Sequence, residues 1–181
     1  MMTIITGGSG CGKSSYAEKI ATGLPMPRYY IATMKPYDDE CLRKIDRHRR
    51  LRAEKGFETI EQHTDLDTIT ASGGTALLEC MCNLTANEMF DENGNCYDVY
   101  DKILHEVLHL KSQFDNLIIV TNDVGNDCRD YDAGTMKYIT TLGRLNCALA
   151  KEADTVTEVV CGIPVTIKSR TSRHFFQERR A

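Results

Sequence analysis

No stretch of the chain comes near the roughly 20 consecutive apolar residues that a membrane-spanning helix needs. The opening residues Met1-Met2-Thr3-Ile4-Ile5-Thr6 place no basic segment ahead of a long apolar one, so a secretory leader is not expected and a cytoplasmic location is. Excess positive charge is missing as well: 22 Lys and Arg stand against 26 Asp and Glu, a formal net charge of -4. That excludes a nucleic-acid binder working by bulk attraction to the phosphate backbone, while leaving room for a local basic patch that holds a small anion. With 4 prolines and 13 aperiodic glycines the chain is not collagen-like, and 41% hydrophobic residues are too many for a disordered one. The length of 181 residues suits one compact domain. Finally, none of the eight cysteines (Cys11, Cys41, Cys80, Cys82, Cys96, Cys128, Cys147, Cys161) forms a C-x-x-C pair. Reduced thiols, several of them buried as small hydrophobes, are therefore expected rather than a zinc site or a disulfide framework.

What is present is an alternation of strands and helices. Thr3 to Thr6, Arg28 to Thr33, Thr75 to Cys80 and Leu117 to Thr121 are short, largely apolar runs of the kind that form buried strands. Between them, helices are predicted over Lys13 to Thr22, ended by Gly23; over Asp38 to Lys55, ended by Gly56; and over Tyr97 to Phe114 and Thr135 to Glu152. Two more strands, around Val156 to Val160 and Val165 to Lys168, flank a turn expected at Gly162-Ile163-Pro164, which makes them a candidate hairpin. Parallel strands need crossover connections, so this order predicts a three-layer α/β domain with a mainly parallel sheet over residues 1–168. Asp91 to Asn95 reads as a loop tip, and residues 169–181 as a polar tail.

The sharpest chemical signal is Gly7-Gly8-Ser9-Gly10-Cys11-Gly12-Lys13-Ser14, which fits G-x-x-x-x-G-K-[ST] between a short strand and a helix. Glycines let successive N–H groups converge on one anion, the helix N-terminus adds positive potential, Lys13 reaches the outer phosphates and Ser14 offers an oxygen to Mg²⁺. Metal on a phosphate loop calls for an acidic partner, and Glu79 at the carboxyl end of its apolar strand supplies one; the plainer reading is a solvated strand-end glutamate. On the helix over 38–55, Cys41, Ile45, His48 and Arg52 share a face. Imidazole is a good nucleophile at phosphorus and the surrounding arginines suit a triphosphate, yet an interfacial histidine on a basic helix fits the same spacing. His105-Glu106-Val107-Leu108-His109 matches H-E-x-x-H, but no third ligand accompanies it and a solvent-facing helix is preferred. Cys80 and Cys82 point the same way along a strand by its period of two, but two thiols do not close a tetrahedral site.

Taken together the motifs resemble those of the bifunctional adenosylcobinamide kinase and adenosylcobinamide-phosphate guanylyltransferase family of cobalamin biosynthesis. The resemblance rests on the phosphate loop with Tyr16-Ala17-Glu18 behind it, Tyr30-Ile31-Ala32-Thr33, Lys44-Ile45 with His48 and Arg52, and Thr59 with Glu61. It continues through Leu77-Leu78-Glu79-Cys80, Val120-Thr121-Asn122-Asp123-Val124-Gly125, Gly143-Arg144-Leu145-Asn146 and Gly162-Ile163-Pro164. It implies a RecA-like P-loop nucleotide-binding fold and two reactions: phosphorylation of the aminopropanol hydroxyl of adenosylcobinamide by a nucleoside triphosphate such as ATP, then GMP transfer from GTP through a histidine-GMP intermediate. By position His48 would carry GMP and Lys13 would serve the phosphates. Gly8, Ser9, Gly10, Cys11, Gly12, Lys13, Ser14 and Ser15 would wrap the triphosphate. Ala32, Thr33, Met34, Arg49, Arg50, Leu51 and Arg52 would line the nucleotide, Glu61 and Glu79 would complete its site, and Ser14 with Glu79 would hold magnesium. A homotrimer acting on a corrinoid, with neither nucleic acid nor membrane as partner, is also implied.

The chain departs from the family after Gly125, where Asn126-Asp127-Cys128-Arg129-Asp130 replaces a glycine-isoleucine-valine-proline segment. Asp123 stands for a usual glutamate and Cys147 for a common glutamine. Two other readings stay open at the level of sequence: a monofunctional P-loop kinase of another small alcohol, and a non-catalytic nucleotide-binding protein.

Overall fold

A computed structural model describes residues 1–36, 49–50, 52–125 and 129–170. Among the described residues seven strands form one sheet: β1 (Met2–Thr6), β2 (Arg28–Ala32), β3 (Glu58–Glu61), β4 (Thr75–Leu78), β5 (Asn116–Val120), β6 (Thr155–Val160) and β7 (Ile163–Ser169), in spatial order β3-β2-β4-β5-β1-β6-β7. Every pairing is parallel except that of β6 with β7. Helices bounded on both sides among the described residues include α1 (Lys13–Thr22), α2 (Met81–Met89), α3 (Tyr100–Gln113) and α4 (Ala133–Glu152).

The central strands read as unbroken apolar runs because both faces are covered. Alternate residues go to opposite layers. Ile4, Ile31, Ala76, Leu78, Leu117 and Ile119 join the core made with Leu84 of α2, Ile103 and Val107 of α3, and Leu142 and Leu145 of α4. Ile5, Tyr30, Ala32, Leu77, Ile118 and Val120 face Ala17 and Ala21 of α1. Each fully buried Ile or Leu contributes about 1.5–3 kcal/mol, which makes this sheet a stiff platform for the loops at its carboxyl edge. The expected three-layer α/β fold is the one observed.

Three local readings change. β4 stops at Leu78, and Cys80 is the N-cap of α2 with Cys82 inside its first turn, so these thiols do not lie along a strand. The helix Met81–Met89 follows β4 so closely that the apolar run hides the boundary, and no Ser, Thr, Asp or Asn cap announces it. The last turn sits one residue earlier than expected: Cys161 and Gly162 take positive φ (50° and 80°), while Ile163 and Pro164 already belong to β7. Two successive left-handed residues give the twist a tight hairpin needs, and Pro164 is tolerated on an edge strand. β3 was also missed, since its exposed edge position leaves Glu58-Thr59-Ile60-Glu61 without an apolar run. Of the helix expected over 38–55, residues 49–50 and 52–54 are helical and Gly56, at φ 76°, follows its end; the remainder, His48 and Leu51 among it, lies outside the described residues.

Candidate active site

The phosphate loop leaves β1 through Gly7, whose φ of 145° and position admit no side chain: a Cβ would stand 2.5 Å from the Val159 carbonyl oxygen. Gly12, at φ 94°, opens α1 without a side-chain cap, so the first N–H groups of the helix stay available to an anion. Lys13 is nearly buried, with Nζ donating to the Gly8 carbonyl at 3.0 Å. Gly8, Ser9, Gly10, Ser14 and Ser15 are exposed along the loop and first turn, with Cys11 half-buried.

Beside the first turn lies a cleft of about 280 Å³ lined by Ser14, Ser15, Glu18, Tyr30, Arg52, Lys55 and Glu79. Glu79 enters it from the end of β4, held by its backbone N–H on the Ile31 carbonyl at 3.0 Å. β5 intervenes between β1 and β4, so the acidic residue sits one strand removed from the phosphate loop rather than on an adjacent strand. Across the cleft, Arg52 is only 5% exposed and lays its guanidinium over the Tyr30 ring, 4.0 Å from the centroid. Burial raises the Tyr30 phenol well above its ordinary range, and the negative charge of Glu79 adds to the shift. Lys55 closes the rim in an ion pair with Glu18.

Other expected residues gather along the carboxyl edge. Arg49 pairs with Glu61 at the end of β3. Ala32 and Thr33 are buried under that edge while Met34 is exposed. Thr33 Oγ1 donates to the Cys80 carbonyl at 3.0 Å, and Asn87 Nδ2 donates to the Thr33 carbonyl at 2.8 Å and to that of His63 at 3.0 Å. Arg50 is exposed and does not line the cleft. Sequence reasoning gave no role to Tyr30, Lys55 or Glu18. A tyrosine inside an otherwise buried strand was the available signal, because its hydroxyl needs a partner there.

The H-E-x-x-H segment behaves as the solvent-facing reading requires, with His105 and His109 exposed on α3 and Glu106 turned inward. Glu106, Asp65 and Glu88 form a group of carboxylates close enough to share a cation. Lys102 supplies that charge itself, with Nζ 2.6 Å from Asp65 Oδ1 and paired with Glu88 and Glu106 as well.

Ser14 and Glu79 thus offer two hard oxygen donors to one cleft, next to a phosphate loop and a buried guanidinium. The family model described as "Cobinamide kinase / cobinamide phosphate guanyltransferase" matches residues 3–167. The chain is 31% identical over 183 aligned positions to the "Bifunctional adenosylcobalamin biosynthesis protein CobU" of Escherichia coli K12, covering 93% of this chain and 100% of the relative. The protein of the same name from Salmonella typhimurium LT2 is 30% identical with the same coverage. "Bifunctional adenosylcobalamin biosynthesis protein CobP" of Pseudomonas aeruginosa PAO1 is 28% identical over 173 positions, covering 93% of this chain and 98% of the relative. A phosphate loop, a cleft that brings Glu79 and Arg52 beside it and a family match over nearly the whole length agree, and the chain belongs to the cobinamide kinase / cobinamide phosphate guanyltransferase family.

Proposed function

We propose that both reactions of the family, cobinamide phosphorylation and GMP transfer in cobalamin biosynthesis, run on the cleft beside α1. The observation that carries this reading is the convergence of Ser14, Glu79 and Arg52 on a single cleft. In the kinase step the triphosphate of ATP or GTP lies along Gly8 to Ser15, Lys13 leaves the Gly8 carbonyl for the outer phosphates, and the aminopropanol hydroxyl of adenosylcobinamide attacks the γ-phosphorus, losing its proton to solvent as the bond to the bridging oxygen breaks and ADP or GDP leaves. Magnesium, held by Ser14 and Glu79, neutralises charge on the phosphates when bound. In the transfer step His48 attacks the α-phosphorus of GTP, a His48–GMP bond forms and pyrophosphate leaves. The corrinoid phosphate then displaces His48, giving adenosylcobinamide-GDP. Arg52 stabilises the charge on the reacting phosphates, and Arg49, paired with Glu61, flanks the nucleotide with Ala32 to Met34.

The position of Arg52 supports the placement of His48, because it belongs to the segment that follows the histidine and faces the cleft directly. The active form is a homotrimer in the cytoplasm. Exposed Ile163, Val165 and Ile167 alternate along edge strand β7 and favour self-association. Among the described residues no helix is long and apolar enough to cross a membrane.

Incubation with GTP labelled at the α-phosphate, followed by intact-mass measurement, tests the transfer step. The expected result is one added GMP that is acid-labile and absent in His48→Ala. No covalent label under any magnesium concentration, with cobinamide phosphorylation intact, would leave a monofunctional kinase.

A further inference from the structure

Backbone pairing between β2 and β3 carries on past Glu61 to the Gln62 N–H, which donates to the Ala32 carbonyl at 3.0 Å. One residue further along each chain, the carbonyls of Thr33 and His63 both accept from Asn87 Nδ2 of α2, at 2.8 and 3.0 Å. Two carbonyl partners use both N–H groups of a primary amide; a carboxylate offers no donor there and a hydroxyl only one. Asparagine is an indifferent helix former, so a half-buried one inside α2 answers to these contacts and not to the helix. The same helix grips the neighbouring backbone on either side. Its N-cap, Cys80, accepts from Thr33 Oγ1 at 3.0 Å, and Glu88 accepts from the Asp65 N–H at 2.8 Å. Buried Thr33 leads directly to exposed Met34 on one arm, and His63 lies two residues beyond exposed Glu61 on the other. The amide therefore sets the spacing of Met34 and Glu61 across the carboxyl edge, where parallel sheets of this kind receive their ligands.

We infer that Asn87 is a positioning residue whose amide holds the segments leaving β2 and β3 at the separation that receives the nucleoside part of GTP, while the triphosphate is left to the phosphate loop. This rests on the reading of Ala32 to Met34 and Glu61 as residues that line the nucleotide. The division of labour follows from topology, since the phosphate loop leaves β1, which β4 and β5 separate from β2. Asn87→Asp keeps the size and shape of the side chain but sets a carboxylate against two carbonyl oxygens, so the clamp opens. The nucleoside is unchanged between ground and transition states, and losing its seat raises KM with little effect on kcat.

Calorimetric titration with two probes, GTP and inorganic tripolyphosphate, tests this, because the second carries phosphates without a nucleoside. Asn87→Asp is expected to weaken GTP binding about fivefold or more and tripolyphosphate binding less than about twofold, and to raise the KM for GTP in guanylyl transfer by the same factor as the first. Asn87→Ala, which lacks the repulsion, follows in the same direction. Hydrogen exchange read by mass spectrometry is the second measurement: peptides over residues 29–34 and 60–65 exchange faster in the variant while those of β1 and β5 keep their protection, which separates an opened clamp from a failure to fold. Equal weakening of both probes overturns the inference, as does wild-type GTP affinity in Asn87→Asp when Met34→Asp lowers it. Wild-type GTP affinity in both Met34→Asp and Glu61→Ala overturns the placement of the nucleoside at this edge instead, and exchange in the 60–65 peptide then decides the clamp by itself.

Discussion

Two buried charged residues show how context sets chemistry at a single position. Lys13 bonds a loop carbonyl at 3.0 Å, a neutral acceptor it can exchange for a phosphate oxygen. Replacing it by alanine removes charge stabilisation that acts mainly in the transition state. Lys13→Ala is therefore expected to lower cobinamide kinase kcat by about a hundredfold or more while the unfolding midpoint moves little, checked by steady-state kinetics and calorimetry. Glu106 has the opposite character. It is 2% exposed, and burial, reinforced by the Glu88 carboxylate and opposed by Lys102, lifts its carboxyl to about 7 from 4.5. The folded protein binds this proton more tightly than the unfolded chain does. The stability it contributes is thus complete below pH 4.5 and is lost as pH climbs to about 7. Glu106→Gln cannot titrate, so between pH 5 and 8 the wild type should lose on the order of 3 kcal/mol relative to the variant. Urea unfolding at both pH values measures this; parallel losses would show that Glu106 does not carry the proton.

At the scale of elements, α1 and α4 begin in contrasting ways. The Asp132 side chain caps α4 by accepting from the N–H of Gly134 at 2.9 Å and of Thr135 at 3.0 Å. α1 begins at a glycine with no side-chain cap, which leaves its donors to a ligand. The first arrangement serves stability: Asp132→Ala should cost about 1 kcal/mol in denaturant titration and leave the kinase rate unchanged. The second serves function, and it explains why the phosphate loop was the most legible feature of the sequence. Its glycines, lysine and serine must occur at fixed spacing for the backbone to curl, so the motif carries its own geometry. The buried strands were legible for a similar reason, since two covered faces demand continuous apolar residues. β3 and α2 were not, because an exposed edge strand and a short uncapped helix draw their stability from neighbours distant in sequence. The cleft was only partly legible. Glu79 stood out as a carboxylate ending an apolar strand, but nothing local in Tyr30, Lys55 or Glu18 shows that β2, α1 and the segment after His48 converge.

For the whole molecule, the decisive arrangement is the way the β6–β7 hairpin leans on the phosphate loop. The Gly162 N–H donates to the Cys11 carbonyl at 2.9 Å, and the Val159 carbonyl occupies the space a side chain at position 7 would need. The same hairpin exposes Ile163 (65%), Val165 (48%) and Ile167 (61%) along β7. This exposed apolar strand is thus continuous with the backbone that shapes the phosphate loop. If β7 is the assembly surface, Val165→Lys with Ile167→Lys should yield a monomer in sedimentation velocity, since buried lysines opposing one another carry a large desolvation cost. Because the hairpin braces the loop, the monomer should also show a weakened affinity for GTP, severalfold by calorimetry, although neither substitution touches the cleft. A monomer with wild-type affinity would separate assembly from the site, and an unchanged oligomer would place the subunit contact elsewhere on the chain.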